Sequence, residues 1–397
     1  MEMSCDFLVI GGGIVGLSVG RELLRTNQNV RVIVLEKESS VGAHASGRNS
    51  GVLHAGFYYS PDSLKAKFCL EGNFALRRLI EDHRIPINEC GKVVVASNDD
   101  DLERLEVLFE RGSANGINLI REKSSNLHRF EPLATTYKEF LWSSHTAVSD
   151  PIAVTNLIAQ LFLKEGGEIQ YNAQACVLED GSVNTGTNNI RAERVINSAG
   201  TNAIHIAHDL GVGKKYSQLP VLGLYKYCNF KELPLRTLVY PVPNPKNPFL
   251  GVHFTLTIDQ KVKIGPTAIP ILGREQYQLT GGLDRLDLVS SIQSIWNLFL
   301  ESPKGLATLA YTELPKISTR KLVREGTKLV PSLDNSVKWH KKRPGIRAQL
   351  INLDKRAFEM DFVVESKGKF VHILNAVSPG WTSAIPFAQY VVKNYLS

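Results

Sequence analysis

Apolar positions in this chain follow two rhythms. Short unbroken runs, Phe7–Ile10, Val30–Leu35 with one Arg inside it, Arg194–Ala199 and Phe370–Asn375, predict strands buried in a parallel sheet. Spaced runs through Leu17, Val19, Leu23 and Leu24, and through Ile385, Ala388, Val391 and Val392, predict amphipathic helices. Strand followed by helix at both ends of the chain indicates an α/β class. Between these ends, Lys92–Ala96, Ala175–Glu179, Val252–Thr257 and Lys261–Ile264 read as strands, and Asp99–Arg111 reads as a polar helix.

The turn after the first strand carries the first chemistry. Gly11, Gly13 and Gly16 stand in a G-x-G-x-x-G array, with Ile14 and Val15 opening the helix. Gly11 permits the tight turn, Gly13 lets backbone approach a pyrophosphate, and Gly16 lets helix and strand pack closely. Amides at the helix N-terminus then hold phosphate. Glu36 ends the second strand twenty-five residues after Gly11, where an acid accepts ribose hydroxyls, and Lys37 follows it. This much fits NAD as well as FAD. The next segment decides between them: Ser39–Tyr59 is small and polar, as suits backbone passing along a pyrophosphate and a flavin. Within it Ser46, Arg48, Asn49, Ser50 and Gly51 are cofactor candidates. Ala199 and Gly200 mark a second close approach beneath the cofactor, and Val177 is the candidate adenine contact. Pro379, Gly380, Trp381 and Thr382 lead into a closing helix whose N-terminus suits a reduced flavin ring.

The chain resembles the glycine-oxidase/D-amino-acid-oxidase superfamily, and within it the L-2-hydroxyglutarate dehydrogenase (oxidase) family. The similarity lies in Arg48–Tyr59 with Ser63–Lys67, in Pro248–Thr255 and Gly265–Ala268, in Arg274-Glu275 with Tyr277, in Gly345–Gln349 and in Asn375–Ser383. Leu222, Gln276 and the Gly380-Trp381 pair depart from the family pattern. The resemblance implies a Rossmann-like FAD-binding domain from residues 1–85, 150–215 and 345–397. It pairs this with a mixed-sheet α+β substrate domain from 86–149 and 216–344. It implies oxidation of a 2-hydroxy dicarboxylate, with hydride passing from C2 to flavin N5 and 2-oxoglutarate released. An amino-acid or amine oxidase and a non-catalytic flavin-binding sensor are the alternatives.

Such a reaction needs a cation for the carboxylate, a base for the hydroxyl proton and an oriented C2 hydrogen. Arg347 is the expected carboxylate clamp, because a guanidinium binds carboxylate bidentately. Arg274 is the candidate for a second carboxylate. His54 and His253 compete as base, with Tyr58 and Thr255 as substrate hydrogen-bonding groups.

Composition bounds the partners. The 397 residues carry a formal net charge of +7, which suits anionic ligands. Scattered basic residues without a recognised motif give no reason to expect nucleic acid. Five widely spaced cysteines point to reduced thiols and a cytoplasmic setting, and no His or Cys cluster has metal-ligand spacing. Oxygen or a membrane quinone is the expected electron acceptor. Asp287–Leu300 patterns as an amphipathic helix, with Lys304, Lys316, Arg320, Lys321 and Arg324 after it. Packing on its own domain is the preferred reading, and peripheral contact with the inner face of a membrane is the alternative.

Overall fold

The computed structural model describes residues 2–244, 250–278, 285–301, 311–333 and 336–396. Pro248 and Phe249 of the substrate-strand motif, and Lys304, lie outside the described residues. Five parallel strands run in the order Glu168–Gln170, Val32–Leu35, Glu2–Ile10, Asn189–Asn197, Phe370–Asn375. The strand that opens the chain is central, which is why Phe7–Ile10 is apolar on both faces. Val9 packs with Leu17, Leu23, Val34 and Phe387 on one side, and Leu8 and Ile10 with Ile33 and Val195 on the other. Helices Ile14–Thr26, Pro151–Lys164 and Ala384–Val391 cover the first face. Asp150 caps the second of these, accepting from the amides of Ile152 and Ala153, with Pro151 in the first turn.

A second, mixed sheet of eight strands joins two distant stretches of chain. Lys92–Val95 pairs in parallel with Leu238–Pro241; its other neighbour, Glu139–Ser143, is antiparallel, as are His253–Leu256 and Lys261–Gly265 to each other. The helix Asp99–Ala114 lies nearby, capped by Asn98 and carrying Asp99, Asp100 and Asp101 in its first turn, where acids favour the helix dipole. Gly345–Asn352, grouped above with the nucleotide domain, pairs along its whole length with Tyr216–Gly223 in a separate four-stranded sheet.

The helix Arg285–Glu301 packs on Tyr216–Gly223 through Ile295, set against Leu219 and Val221, and through polar groups. Asp287, Ser291 and Ser294 are buried, and Ser291 and Ser294 donate to the carbonyls of Leu272 and Gln218 at 3.0 and 3.1 Å. Its apolar residues Val289, Ile292, Trp296 and Leu300 are exposed. The helix thus packs on its own domain, as the preferred sequence reading has it, with a largely polar face because the strand offers hydroxyl and carbonyl partners. No described helix is long and apolar enough to cross a membrane.

Candidate active site

A cleft of about 1210 Å³ opens at the C-terminal ends of the parallel strands, with Ile10, Leu35 and Leu374 in its wall. Ligands of open α/β sheets gather there. Its size exceeds the roughly 300–1,000 Å³ of an ordinary small-molecule pocket.

At one end stand the glycines. Gly11 has φ +109°, and a Cβ there would meet the Ser198 carbonyl oxygen at 2.4 Å, so only glycine fits. Gly16 lies off the cleft wall and permits packing: its Cβ would stand 2.1 Å from the Gly11 carbonyl oxygen. Gly13, Ile14 and Val15 line the cleft, and the Ile14 amide donates to Ser46 Oγ at 2.9 Å. Glu36 is buried and accepts the Gly12 amide at 3.0 Å and the Glu38 amide at 2.9 Å; burial raises its pKa. Lys37, Arg48, Asn49, Ser50, Ala199 and Gly200 also line this part. Gly51 sits behind the wall at φ +77°, where a Cβ would press on the Ser149 carbonyl. Val177 does not reach the cleft. It pairs with Val183 in an edge hairpin, and Ala173, Gln174 and Ala175 take the wall position instead. The strand is shorter than the apolar pattern implied, Cys176–Val177 only, so the chain meets the cleft before the strand begins.

Toward the other end lie Pro379, Gly380, Trp381 and Thr382, beside His54. Thr382 ties the two segments together, since its hydroxyl accepts the His54 amide at 3.3 Å and donates to the Val52 carbonyl at 3.1 Å. His253, Tyr58, Tyr225, Tyr240 and Arg347 complete this end. The His253 ring stacks on Tyr240 with centroids 3.8 Å apart. Its Nδ1 lies 2.8 Å from the Gly251 carbonyl oxygen, which only accepts, so Nδ1 carries the proton and neutral His253 presents a bare Nε2. Burial, with the charge of Lys92, lowers both imidazoles to about 3. Arg347 lies close enough to His253 to contribute to that lowering.

Two substrate candidates sit elsewhere. Thr255 is buried behind the wall next to Tyr240 and does not line the cleft. Arg274 lines the cleft but is taken up by Asp287 and by Asn202, to whose Oδ1 it donates at 2.8 Å. It belongs to a tie across the cofactor end. There Lys37 bridges Glu38 and Glu275 at 2.8 and 2.7 Å, His44 meets Tyr277 Oη at 2.6 Å, and Arg48 lies 4.0 Å from the Tyr277 ring centroid. Glu38, His44 and Glu275 come together here with metal-ligand atoms, and the Lys37 ammonium stands between the two carboxylates and pairs with both. The departures from the family pattern have plain roles. Leu222 is core, packed with Ile269, Ile271 and Ile346, and Gln276 closes its own turn by accepting the Leu272 and Gly273 amides. Sequence reading missed Tyr225, Tyr240 and the buried Lys92; nothing in a strand pattern marks which apolar-looking position will face a cleft formed by a distant segment.

A family model described as FAD dependent oxidoreductase (DAO) matches residues 6–394. The chain belongs to this family of FAD-dependent oxidoreductases. L-2-hydroxyglutarate dehydrogenase of Escherichia coli (strain K12) is 35 % identical, over 98 % of this chain and 92 % of that protein. The mitochondrial L-2-hydroxyglutarate dehydrogenase of Homo sapiens is 29 % identical, over 96 % and 86 %. Among solved folds, dithionite-reduced L-alpha-glycerophosphate oxidase from Mycoplasma pneumoniae with FAD bound superposes with a TM-score of 0.76 at 23 % identity, covering 98 % of this chain and 94 % of that one. Glycine oxidase from Geobacillus kaustophilus gives 0.73 at 16 % identity, with the same coverage. As an FAD-dependent oxidoreductase, the protein needs a place for a long, polar dinucleotide. The cleft fits it: Gly11 and Gly13 line one end on a turn where a Cβ at Gly11 would clash with backbone, and at the other stand the buried Trp381 Nε1 and Tyr58 hydroxyl, unpartnered among the described residues.

Proposed function

We propose that this oxidoreductase converts L-2-hydroxyglutarate to 2-oxoglutarate. The observation that carries the reading is the convergence of Arg347, His253 and His54 on the cleft wall beside the Pro379–Thr382 loop, in a chain whose curated relatives bear that dehydrogenase's name. Bound FAD supplies the two-electron acceptor. Gly11, Gly13, Ile14, Val15, Glu36, Lys37, Ser46, Arg48, Asn49, Ser50, Ala199 and Gly200 are assigned to hold it, with Ala173–Ala175 near the adenine and Pro379–Thr382 near the ring.

The chain's own groups do the rest. Arg347 anchors the C1 carboxylate. The bare Nε2 of His253 accepts the hydroxyl proton as the C2 hydrogen departs, and His54 borders the same space from the loop side. Tyr58, Tyr225 and Tyr240 shape the pocket and exclude water. Dye-coupled turnover tests the reading: 2-oxoglutarate should accumulate from the L-enantiomer, and turnover of glycine instead would make the protein an amine oxidase.

Peripheral membrane contact, with quinone as electron acceptor, is the second part of this proposal. It is supported by the exposed Val289, Ile292, Trp296 and Leu300 on one helix, followed in sequence by exposed Tyr311 and Leu314 and by Arg320, Lys321 and Arg324. An apolar face flanked by basic residues is the composition of an interfacial helix. Sedimentation with anionic vesicles should carry the protein into the pellet, and Trp296→Ser with Ile292→Ser should return it to the supernatant. Wild-type protein that stays in solution contradicts the contact.

A further inference from the structure

Lys92 has no role in the chemistry described so far, yet it is among the most enclosed side chains of the protein. It is fully buried, and its Nζ has no hydrogen-bond partner among the described residues. Three aromatic rings surround it, with Nζ 4.4 Å from the Phe57 centroid, 4.5 Å from Tyr58 and 4.9 Å from Tyr240. An ammonium is held against ring faces by the aromatic quadrupole, so this cage favours the cation even where water is excluded. Two of the three rings, Tyr58 and Tyr240, form the cleft wall, and Tyr240 carries the stacked His253. The parallel pairing of Lys92 with Leu238, and of Val93 with Val239, places Lys92 beside the strand of Tyr240; the antiparallel pairing of Val239 with Phe254 then brings His253 alongside.

We propose that Lys92 is a positioning cation, set behind the Tyr58–Tyr240 wall, whose charge repels a proton from the imidazoles of His54 and His253. The proposal rests on reading that pair as facing the substrate. Among the described residues, the titratable and charged groups around the three are Arg347, Cys69, Cys90, Tyr58, Tyr59, Tyr225 and Tyr240, together with the three themselves, and none of these is a carboxylate. Among the described residues, the permanent charges acting on the two imidazoles are therefore the cations Lys92 and Arg347. Burial brings Lys92 down to about 7, so it is charged through the whole acidic range in which the imidazoles, at about 3, would take a proton. An anionic substrate docking beside Arg347 brings the opposite charge, and the imidazole gains proton affinity only then. The free site thus keeps a vacant acceptor, and the occupied site makes it a stronger base.

The test is histidine and lysine NMR on the purified FAD-loaded protein, with the acidic limb of kcat/KM recorded alongside. In Lys92→Met, which keeps the length and loses the charge, the His54 and His253 imidazoles should titrate about one pH unit or more higher, and the acidic limb should move with them. Lys92→Arg should restore the wild-type values. Imidazoles that titrate identically in wild type and Lys92→Met would overturn the proposal, because burial alone would then account for them. Should neither variant fold, the wild-type Lys92 ammonium decides: a group still charged throughout the range in which the imidazoles titrate supports the proposal, and one already neutral there contradicts it. Because the spectra need no substrate, failure to oxidise L-2-hydroxyglutarate would sink the functional reading and leave this one standing.

Discussion

His253→Ala is expected to lower kcat/KM for L-2-hydroxyglutarate by about 10²–10⁴-fold, the range for removing a general base. The argument rests on one hydrogen bond. With Nδ1 donating to the Gly251 carbonyl, the only lone pair His253 offers is on Nε2, and the Tyr240 ring holds the imidazole in place. The sign of the pH dependence follows. The imidazole's proton affinity is lowered, so the base is vacant through the neutral range and activity falls only as pH drops toward about 3. In the variant that limb disappears together with the rate. His54→Ala is the comparison, because its ring has no such fixed tautomer among the described contacts. It should raise KM more than it lowers kcat. If His54→Ala alone collapses the rate while His253→Ala retains it, the base has been assigned to the wrong member of the pair.

Arg347→Met is expected to cost roughly 10²–10³-fold in kcat/KM, in the range for truncating one partner of a buried charge pair. The guanidinium stands on the strand Gly345–Asn352, held in register by Val221 and steadied by a 3.4 Å contact from Nη1 to the Thr267 carbonyl. Its loss should appear in binding of a redox-inert dicarboxylate such as glutarate as well as in turnover, and the retained flavin spectrum should be unchanged. Arg347→Lys should recover little, since a point charge does not reproduce the two-pronged geometry. Arg274→Met should leave glutarate binding intact, because Asp287 and Asn202 already occupy that side chain. Equal losses for Arg274 and Arg347 would contradict the placement of the carboxylate.

The nucleotide end was legible in the sequence because its signal is local. Gly11, Gly13, Gly16 and Glu36 lie on one strand-turn-helix-strand unit, and backbone geometry there dictates residue type. Val177 lies off the cleft wall because a strand pattern marks which residues pair, and the wall here is formed by the irregular chain just before them. Arg274 and Thr255 were placed correctly in the chain but not in space. Their partners, Asp287 and Asn202 for one and Tyr240 for the other, come from segments whose approach no periodicity reveals. The helix Arg285–Glu301 shows the same limit from the other side. Its amphipathic pattern was plain, and only the hydroxyl and carbonyl groups of Ser217, Gln218 and Leu272 show that the polar face turns inward. Lys92 read as the polar start of a strand. Its burial is set by Phe57, which arrives from the flavin-side segment thirty-five residues earlier.

The most direct test of the central claim is the absorbance of the oxidised flavin under anaerobic titration. L-2-hydroxyglutarate should bleach the main band, while its D-enantiomer, glycine and glycerol 3-phosphate leave it untouched. Bleaching by glycine or glycerol 3-phosphate, with none by L-2-hydroxyglutarate, would contradict the account.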